Sequence, residues 1–191
     1  MPRPASGTFA EPMASAPAQL DTLRAHIRDV PGFPLPGIVF KDIVPLLGDP
    51  AALALSVELM ANPFRGRRVD LVVGAESRGF IFGTALAQAL SAGFVPIRKP
   101  GKLPRAIHSV EYGLEYGTDR VEIHQDAIQT GQRVLMVDDL LATGGTMKAC
   151  CDLVEMIDGE IIGVTVLIEL TDLNGRDRLG RHSRVHAVLQ Y

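Results

Sequence analysis

Short apolar runs alternate along this chain with longer stretches in which apolar positions return every three or four residues. Leu71-Val72-Val73, Phe94 to Ile97, Val134 to Val137, Ile161 to Glu169 and Val185 to Leu189 are the short runs. Their continuous apolar character predicts strands covered on both faces. Helical spacing predicts helices from about Ala18 to Asp29, from Pro50 to about Asn62, from Gly79 to Ala92 and from Thr146 to Ile157. Asp49-Pro50 starts one of them well, with an acid to cap the free N–H groups and a proline at the first helical position. Pro63 stops that helix, and Gly93 offers the next one a C-terminal cap. Strands alternating with helices predict an α/β fold, a parallel twisted sheet with helices on both faces.

Two stretches break the pattern. Residues 30–37 read Val-Pro-Gly-Phe-Pro-Leu-Pro-Gly, and their prolines and glycines predict irregular backbone. Ile38-Val39-Phe40 follows, an apolar run that either packs a loop or forms the lip of a pocket. Residues 98–117 hold Pro100, Gly101, Pro104, Gly113 and Gly117, with Arg98, Lys99, Lys102 and Arg105 among them. So long a stretch without periodicity predicts a functional lid. Val121 and Ile123 alternate with Glu122 and His124, which predicts that two strands of a hairpin flank it. Residues 1–18, rich in Pro, Ala and Ser, read as a disordered tail, leaving 19–191 as one domain.

Composition narrows the function. The 191 residues are 47% hydrophobic and 21% charged, with a net charge of -3. No bulk positive field draws nucleic acid or anionic lipid, so an anionic substrate needs a local site. Cys150 and Cys151 are adjacent, which disfavours a disulfide and makes too few ligands for zinc. They read as free thiols in a helix, consistent with a reducing, cytoplasmic setting. No apolar stretch reaches the ~20 residues that span a bilayer, and no secretory apolar core opens the chain.

In a sheet of this kind ligands bind beyond the carboxyl ends of the strands. Two strand-to-helix segments there are unusual. The first is Val137-Asp138-Asp139-Leu140-Leu141-Ala142-Thr143-Gly144-Gly145-Thr146. The paired glycines let successive amides converge on one anion, the following helix adds its positive end, and two threonines add hydroxyls. Asp138 and Asp139 are suited to Mg²⁺ or to a diol. A phosphate beside a diol outlines a ribose 5-phosphate. The second is Gly74-Ala75-Glu76-Ser77-Arg78-Gly79-Phe80. Its glycines have the spacing of a nucleotide-binding Walker loop, but the Lys-Ser/Thr that follows such a loop is missing. It is left as a turn offering amides, a hydroxyl and a guanidinium to a second anion.

At these residues a family resemblance emerges. Val134 to Thr146 resembles the phosphoribosyl-pyrophosphate signature of type I phosphoribosyltransferases. Phe33 to Ile43, Glu76 to Phe80, Arg98 to Pro104, Leu114-Glu115-Tyr116-Gly117 and Glu169-Leu170-Thr171 are similar to the adenine branch. The match runs in order over about residues 20 to 191. It implies transfer of 5-phosphoribosyl from its pyrophosphate to adenine, giving AMP and pyrophosphate, in purine salvage with Mg²⁺ carried mainly by the sugar pyrophosphate.

By that resemblance Ala142, Thr143, Gly144, Gly145 and Thr146 hold the 5′-phosphate, and Asp138 and Asp139 bind the ribose hydroxyls. Ala75, Glu76, Ser77 and Arg78 form the pyrophosphate loop, with a cis peptide at Glu76-Ser77. Val39, Phe40 and Lys41 belong to a purine-binding hood, Phe40 stacking on the base and Val39 offering backbone hydrogen bonds. Arg98, Lys99 and Lys102 neutralise pyrophosphate in a flexible β-hairpin lid. Glu115 handles the purine proton, and Tyr116 closes over the substrates. A homodimer is implied. Two positions depart from the family pattern, Glu76 where relatives carry Asp and Lys41 where they carry Arg; lysine lacks the planar fork.

The nearest alternative is the same fold acting on another base. A more distant one is a regulator that senses phosphoribosyl pyrophosphate and binds nucleic acid. The charge of -3 and the lack of an appended DNA-binding motif speak against the second. His182 and His186 suggest a metal pair by spacing, but no third ligand is near, so a surface turn before the last strand is expected.

Overall fold

The computed structural model describes residues 17–113, 118–182 and 184–191. The expected tail, apart from Pro17 and Ala18, therefore lies outside the described residues, as do Glu115 and Tyr116. Helix α1 (Pro17–Ala25) leads into β1 (Arg28–Pro31) and β2 (Val39–Asp42), a small antiparallel sheet. Then come α2 (Val44–Gly48), α3 (Pro50–Ala61), β3 (Leu71–Ala75), α4 (Gly79–Ala89) and β4 (Gly93–Ile97). β5 (Ile107–Gly113) and β6 (Thr118–His124) pair as an antiparallel hairpin. β7 (Arg133–Leu141), α5 (Gly145–Met156), β8 (Glu160–Glu169), α6 (Gly175–Arg178) and β9 (Val185–Gln190) follow.

The central sheet has the order β4-β3-β7-β8-β9, with every neighbouring pair parallel. Strand β7 shows why its apolar run is unbroken. Val134 and Met136 face a core built with α5 and the hairpin, where Val121, Ile123, Met147 and Leu153 pack. Leu135 and Val137 face the opposite core, with Leu23 of α1, Met60 of α3 and Phe82 of α4. Strand side chains alternate between faces, so a strand covered twice has no polar position to spare. From β3 the chain moves outward to β4; from β7 it moves the other way to β8. The carboxyl ends of β3 and β7 thus open a crevice at the switch point.

Several local expectations are met by the atoms. Asp49 accepts hydrogen bonds from the N–H groups of Ala51 and Ala52 at 3.0 and 2.8 Å, which fixes the start of α3. Both cysteines are free and buried in α5.

Others are corrected. The first helix stops at Ala25 rather than near Asp29, because Arg28 to Pro31 pair with β2. Pro31 is tolerated there as the last residue of an edge strand, where its missing N–H matters little. Helix α4 ends at Ala89, not Ala92, and Gly93 is the first residue of β4 rather than the cap. Ser91 takes the left-handed position (φ 55°), with Ser91 N–H bonded to Gln88 O and Ala92 N–H to Ala87 O. This is a Schellman closure built on serine where glycine is usual.

Strand β7 runs through Leu141, so Asp138 and Asp139 lie on the strand and the connecting turn is shorter than anticipated. Glu122, in β6, is buried: its carboxylate accepts the Gly101 N–H at 3.0 Å and faces Arg120 at 3.4 Å. Of the two histidines, His182 lies in the expected turn before the last strand, at Gly180–His182, and only His186 departs from the expectation. His182 contacts Glu155 at 2.5 Å, and His186, within β9, is 2.9 Å from the Leu59 carbonyl.

Candidate active site

The turn after β7 is backbone-made. Gly144 sits at φ 79°, the left-handed region, and heads α5. A side-chain carbon on Gly144 would run into the Gly175 carbonyl oxygen, and one on Gly175 would run into the Ala142 carbonyl oxygen. The two backbones are therefore in direct contact, and the turn is pressed from behind. The first N–H groups of α5 have no partner within the helix and are suited to an anion.

The turn after β3 is held by side chains. Its Glu76-Ser77 peptide is cis, as the resemblance implies. Glu76 accepts the Lys99 N–H at 2.7 Å and Arg98 Nε at 3.0 Å. Those bonds, the Lys99 amide foremost, hold its carboxyl below the usual range. Glu76 thus ties down the start of the segment between β4 and β5. Ala75 ends β3 with its methyl buried. Arg78 crosses the crevice: its Nε is 3.1 Å from Asp139 Oδ2, and its guanidinium carbon is 5.1 Å from the centre of the Phe40 ring.

Asp139 is 3% exposed, and its Oδ2 receives no hydrogen bond; Arg78 is close enough to attract it but misaligned to donate. Asp138 Oδ1 accepts the Asp139 N–H at 2.9 Å. Part of Asp138 reaches the cleft, yet the protein around it is dense. Burial first, and the neighbouring Asp139 charge second, push its carboxyl well above the usual range. A buried acid pair with an oxygen left bare is what a diol or a substrate-borne cation would complete.

The hairpin closes the other side. Lys99 Nζ is ion-paired with Asp119 and lies 3.2 Å from Tyr112 Oη. Tyr112 Oη is 3.1 Å from Asp119 Oδ2, and Thr146 Oγ1 is 3.2 Å from Tyr112 Oη. Burial opposes the Lys99 charge, but Asp119 and Tyr112 outweigh it and its pKa is raised.

The cleft so formed has a volume of about 270 Å³ and is lined by Glu76, Ser77, Arg78, Lys99, Tyr112, Asp119, Asp138, Asp139 and the run Leu140 to Met147. Ten residues named from the sequence as candidates, from Val39 to Lys102, lie among the described residues together with Asp138, Asp139 and the phosphate turn, but not all converge. Arg98 is drawn to Glu76 and packs 5.7 Å from the Phe80 ring. Lys102 is exposed. Lys41 turns to Asp29 (2.7 Å) and over the Tyr191 ring (4.0 Å). Val39 is exposed beside Phe40, which Phe33 meets edge-on at 5.1 Å.

Tyr112, Asp119 and Gly175 were not foreseen. Tyr112 and Asp119 come together only through hairpin register, which pairs them directly. Gly175 carried a faint signal, a glycine between Asn174 and a charged run.

Among the described residues no helix is long and apolar enough to cross a membrane, and no three His, Cys, Asp or Glu side chains converge as a metal set.

Residues 46–184 match the phosphoribosyl transferase domain family. The chain is 58% identical over 175 residues to an adenine phosphoribosyltransferase of Rhodopirellula baltica, covering 92% of this chain and 84% of that one. It is 55% identical over 173 residues to one from Methylococcus capsulatus, covering 90% and 100%. The crystal structure of the adenine phosphoribosyltransferase of Rhodothermus marinus superposes with a TM-score of 0.87 at 55% identity, covering 91% of this chain and 99% of that one.

Proposed function

The chain belongs to the adenine phosphoribosyltransferase family, and from that membership we propose how its cleft carries the 5-phosphoribosyl group from phosphoribosyl pyrophosphate to adenine. The enzyme is a pentosyltransferase of purine salvage whose products are AMP and pyrophosphate. The observation that carries the site reading is the backed anion turn at Gly144 set beside the buried acid pair with its bare Asp139 oxygen.

In this reading the turn from Ala142 to Thr146 grips the 5′-phosphate through amides and the threonine hydroxyls. Asp138 and Asp139 take the ribose hydroxyls. Arg78 and Lys99 face the pyrophosphate, with Ser77 and the amides of its loop; Arg98 and Lys102 contribute from the lid only at longer range. The bond from C1 to pyrophosphate breaks with its electron pair leaving on oxygen, and the sugar passes through an oxocarbenium-like state. Cations aimed at the departing oxygens stabilise that charge. The purine nitrogen then bonds to C1, and its proton passes to Glu115. Phe40 stacks on the base, with Val39 presenting its backbone beside it, and Tyr116 joins the closure that keeps water from the sugar.

Mg²⁺ borne by the sugar pyrophosphate would supply charge neutralisation of the leaving group. Asp138 and Asp139 are the carboxylates that would meet it, a reading the bare Asp139 Oδ2 supports. We further propose a cytoplasmic homodimer, with residues 1–18 outside the domain. The exposed Phe33, Leu35, Ile38 and Val39 offer apolar surface for such a contact.

The test is direct. Purified protein, Mg²⁺ and phosphoribosyl pyrophosphate are mixed with adenine, hypoxanthine, guanine, xanthine or orotate in turn. AMP from adenine alone is the expected result. A mononucleotide of another base instead would keep the sugar-phosphate site and reject the hood assignment.

A further inference from the structure

After β8 the chain crosses to β9 through a 3-10 turn at Thr171–Leu173 and the single turn of α6. Nothing in this strap lines the cleft, yet it touches the cleft's most demanding element. We propose that Gly175 and Arg176 are positioning residues for the phosphoribosyl ligand: Arg176 locks the strap, and Gly175 sets the height of the anion turn. The inference rests on the reading of Ala142 to Thr146 as the 5′-phosphate turn.

Three observations carry it. First, the contact between strap and turn is backbone on backbone. A side-chain carbon on Gly175 would collide with Ala142 O and lie 3.1 Å from Gly144 N, one of the amide groups of the turn itself. Any movement of Gly175 is therefore passed to the turn without a flexible side chain to absorb it. Second, the strap begins where the turn begins: Leu170 N–H bonds to Leu141 O at 2.9 Å, the last residue of β7.

Third, Arg176 is fully committed to holding the strap. Its Nε and one terminal nitrogen fork onto Glu169 Oε1 and Oε2 at 2.5 and 2.6 Å, and the other reaches Val185 O at 2.6 Å. Gln190 adds a bond to Glu169 Oε2 at 2.9 Å. Glu169 is 4% exposed, so both of its oxygens are satisfied inside the protein. A planar fork spanning the ends of β8 and β9 fixes the residue next to Gly175 in distance and in rotation, which a single ammonium cannot do.

The experiment compares four variants of the full chain by steady-state kinetics, calorimetric titration with phosphoribosyl pyrophosphate, and thermal melting. Gly175→Ala leaves the Arg176 fork intact and pushes on the turn. It is expected to raise KM and Kd for phosphoribosyl pyrophosphate by about tenfold or more, since displacements of about 1 Å are costly in a preorganised site. KM for adenine should stay within about twofold. Arg176→Lys, which keeps the charge and loses the fork, should move the same constant in the same direction by a smaller factor. Thr143→Ala and Thr146→Ala test the turn assignment itself.

If the threonine variants weaken phosphoribosyl pyrophosphate but Gly175→Ala and Arg176→Lys do not, the positioning role is wrong and the turn assignment survives. If the threonine variants also leave that affinity unchanged, both fall. A lower melting temperature with no selective change in phosphoribosyl pyrophosphate affinity would make the strap a stability element only and overturn the proposal. Should Gly175→Ala not fold, Arg176→Lys decides the matter through the same ratio of the two KM values.

Discussion

The floor and the rim of the cleft are built on different principles. The floor, from Asp138 through Thr146, is strand end, tight turn and helix start, its shape set by backbone and backed by Gly175. The rim, made of β2 and the β5–β6 hairpin, is set by side chains: Phe40 against Phe33 and Arg78, and Lys99 against Asp119 and Tyr112. A backbone cradle recognises a phosphate whatever is attached beyond the sugar. Side chains on short, partly exposed strands can be changed one at a time, and on the proposed site reading that is where a choice among bases would be made. From this difference the proposed site reading expects sugar-phosphate affinity from the floor and base specificity from the rim.

The sharpest way to break this division is the double substitution Asp138→Asn with Asp139→Asn. Charged hydrogen bonds are worth about 1.5–3 kcal/mol each, so kcat/KM should fall by about 10²–10⁴ with every base offered. A loss confined to adenine would abolish the distinction. Next in size is Phe40→Ala. Base–aromatic stacking of about 1–3 kcal/mol predicts a rise of about 5- to 150-fold in KM for adenine, with the phosphoribosyl pyrophosphate constant nearly unmoved. Equal changes in the two constants would show that hood and floor are not separable.

Tyr112→Phe probes the seam between them. It removes the hydroxyl shared by Lys99, Asp119 and Thr146. One net hydrogen bond of about 1 kcal/mol predicts a few-fold rise in KM for phosphoribosyl pyrophosphate, read from initial rates. Smallest is a pH effect on stability away from the cleft. The Arg176 hydrogen bonds hold the Glu169 carboxyl below its ordinary value of 4.5. A depressed carboxylate contributes stability that is present above its unfolded value and is lost as pH falls through the folded one. Glu169→Gln should therefore flatten the melting-temperature profile below about pH 4.5 while lowering it at neutral pH. An unchanged acid slope would exclude this residue as a source of acid sensitivity.

The floor was far more legible in the sequence than the rim, for a physical reason. Glycines, acids and threonines between an apolar run and a helix constrain local backbone, and local backbone is what a sequence segment encodes. The five parallel strands could be read because each is covered on both faces. Their edges were harder to read: both aspartates lie on β7 itself because the neighbouring β8 continues the ladder past Val137. Ser91 closing α4 in place of Gly93 escaped notice because only the bonds to Ala87 and Gln88 reveal it.

Glu122 alternates with Val121 and Ile123 in the sequence, yet it is buried as they are. The segment after β4 folds over it and supplies the Gly101 amide. The Arg176 fork and the contacts of Tyr112 join residues far apart in sequence or across a hairpin, and no local pattern announces them.

The two buried thiols have a use that follows from where they sit. Burial pushes both up, Cys151 to about 12, so near neutrality almost none of either is in the reactive thiolate form. They lie on the buried face of α5, the helix whose first turn closes the proposed phosphate cradle. A thiol reagent can modify them only when that helix lifts from the sheet. The labelling rate is thus a clock for opening of the cradle, carried by the unmodified chain. Phosphoribosyl pyrophosphate should slow that clock in proportion to its occupancy, which turns a pair of chemically silent residues into a gauge of ligand grip that needs no turnover.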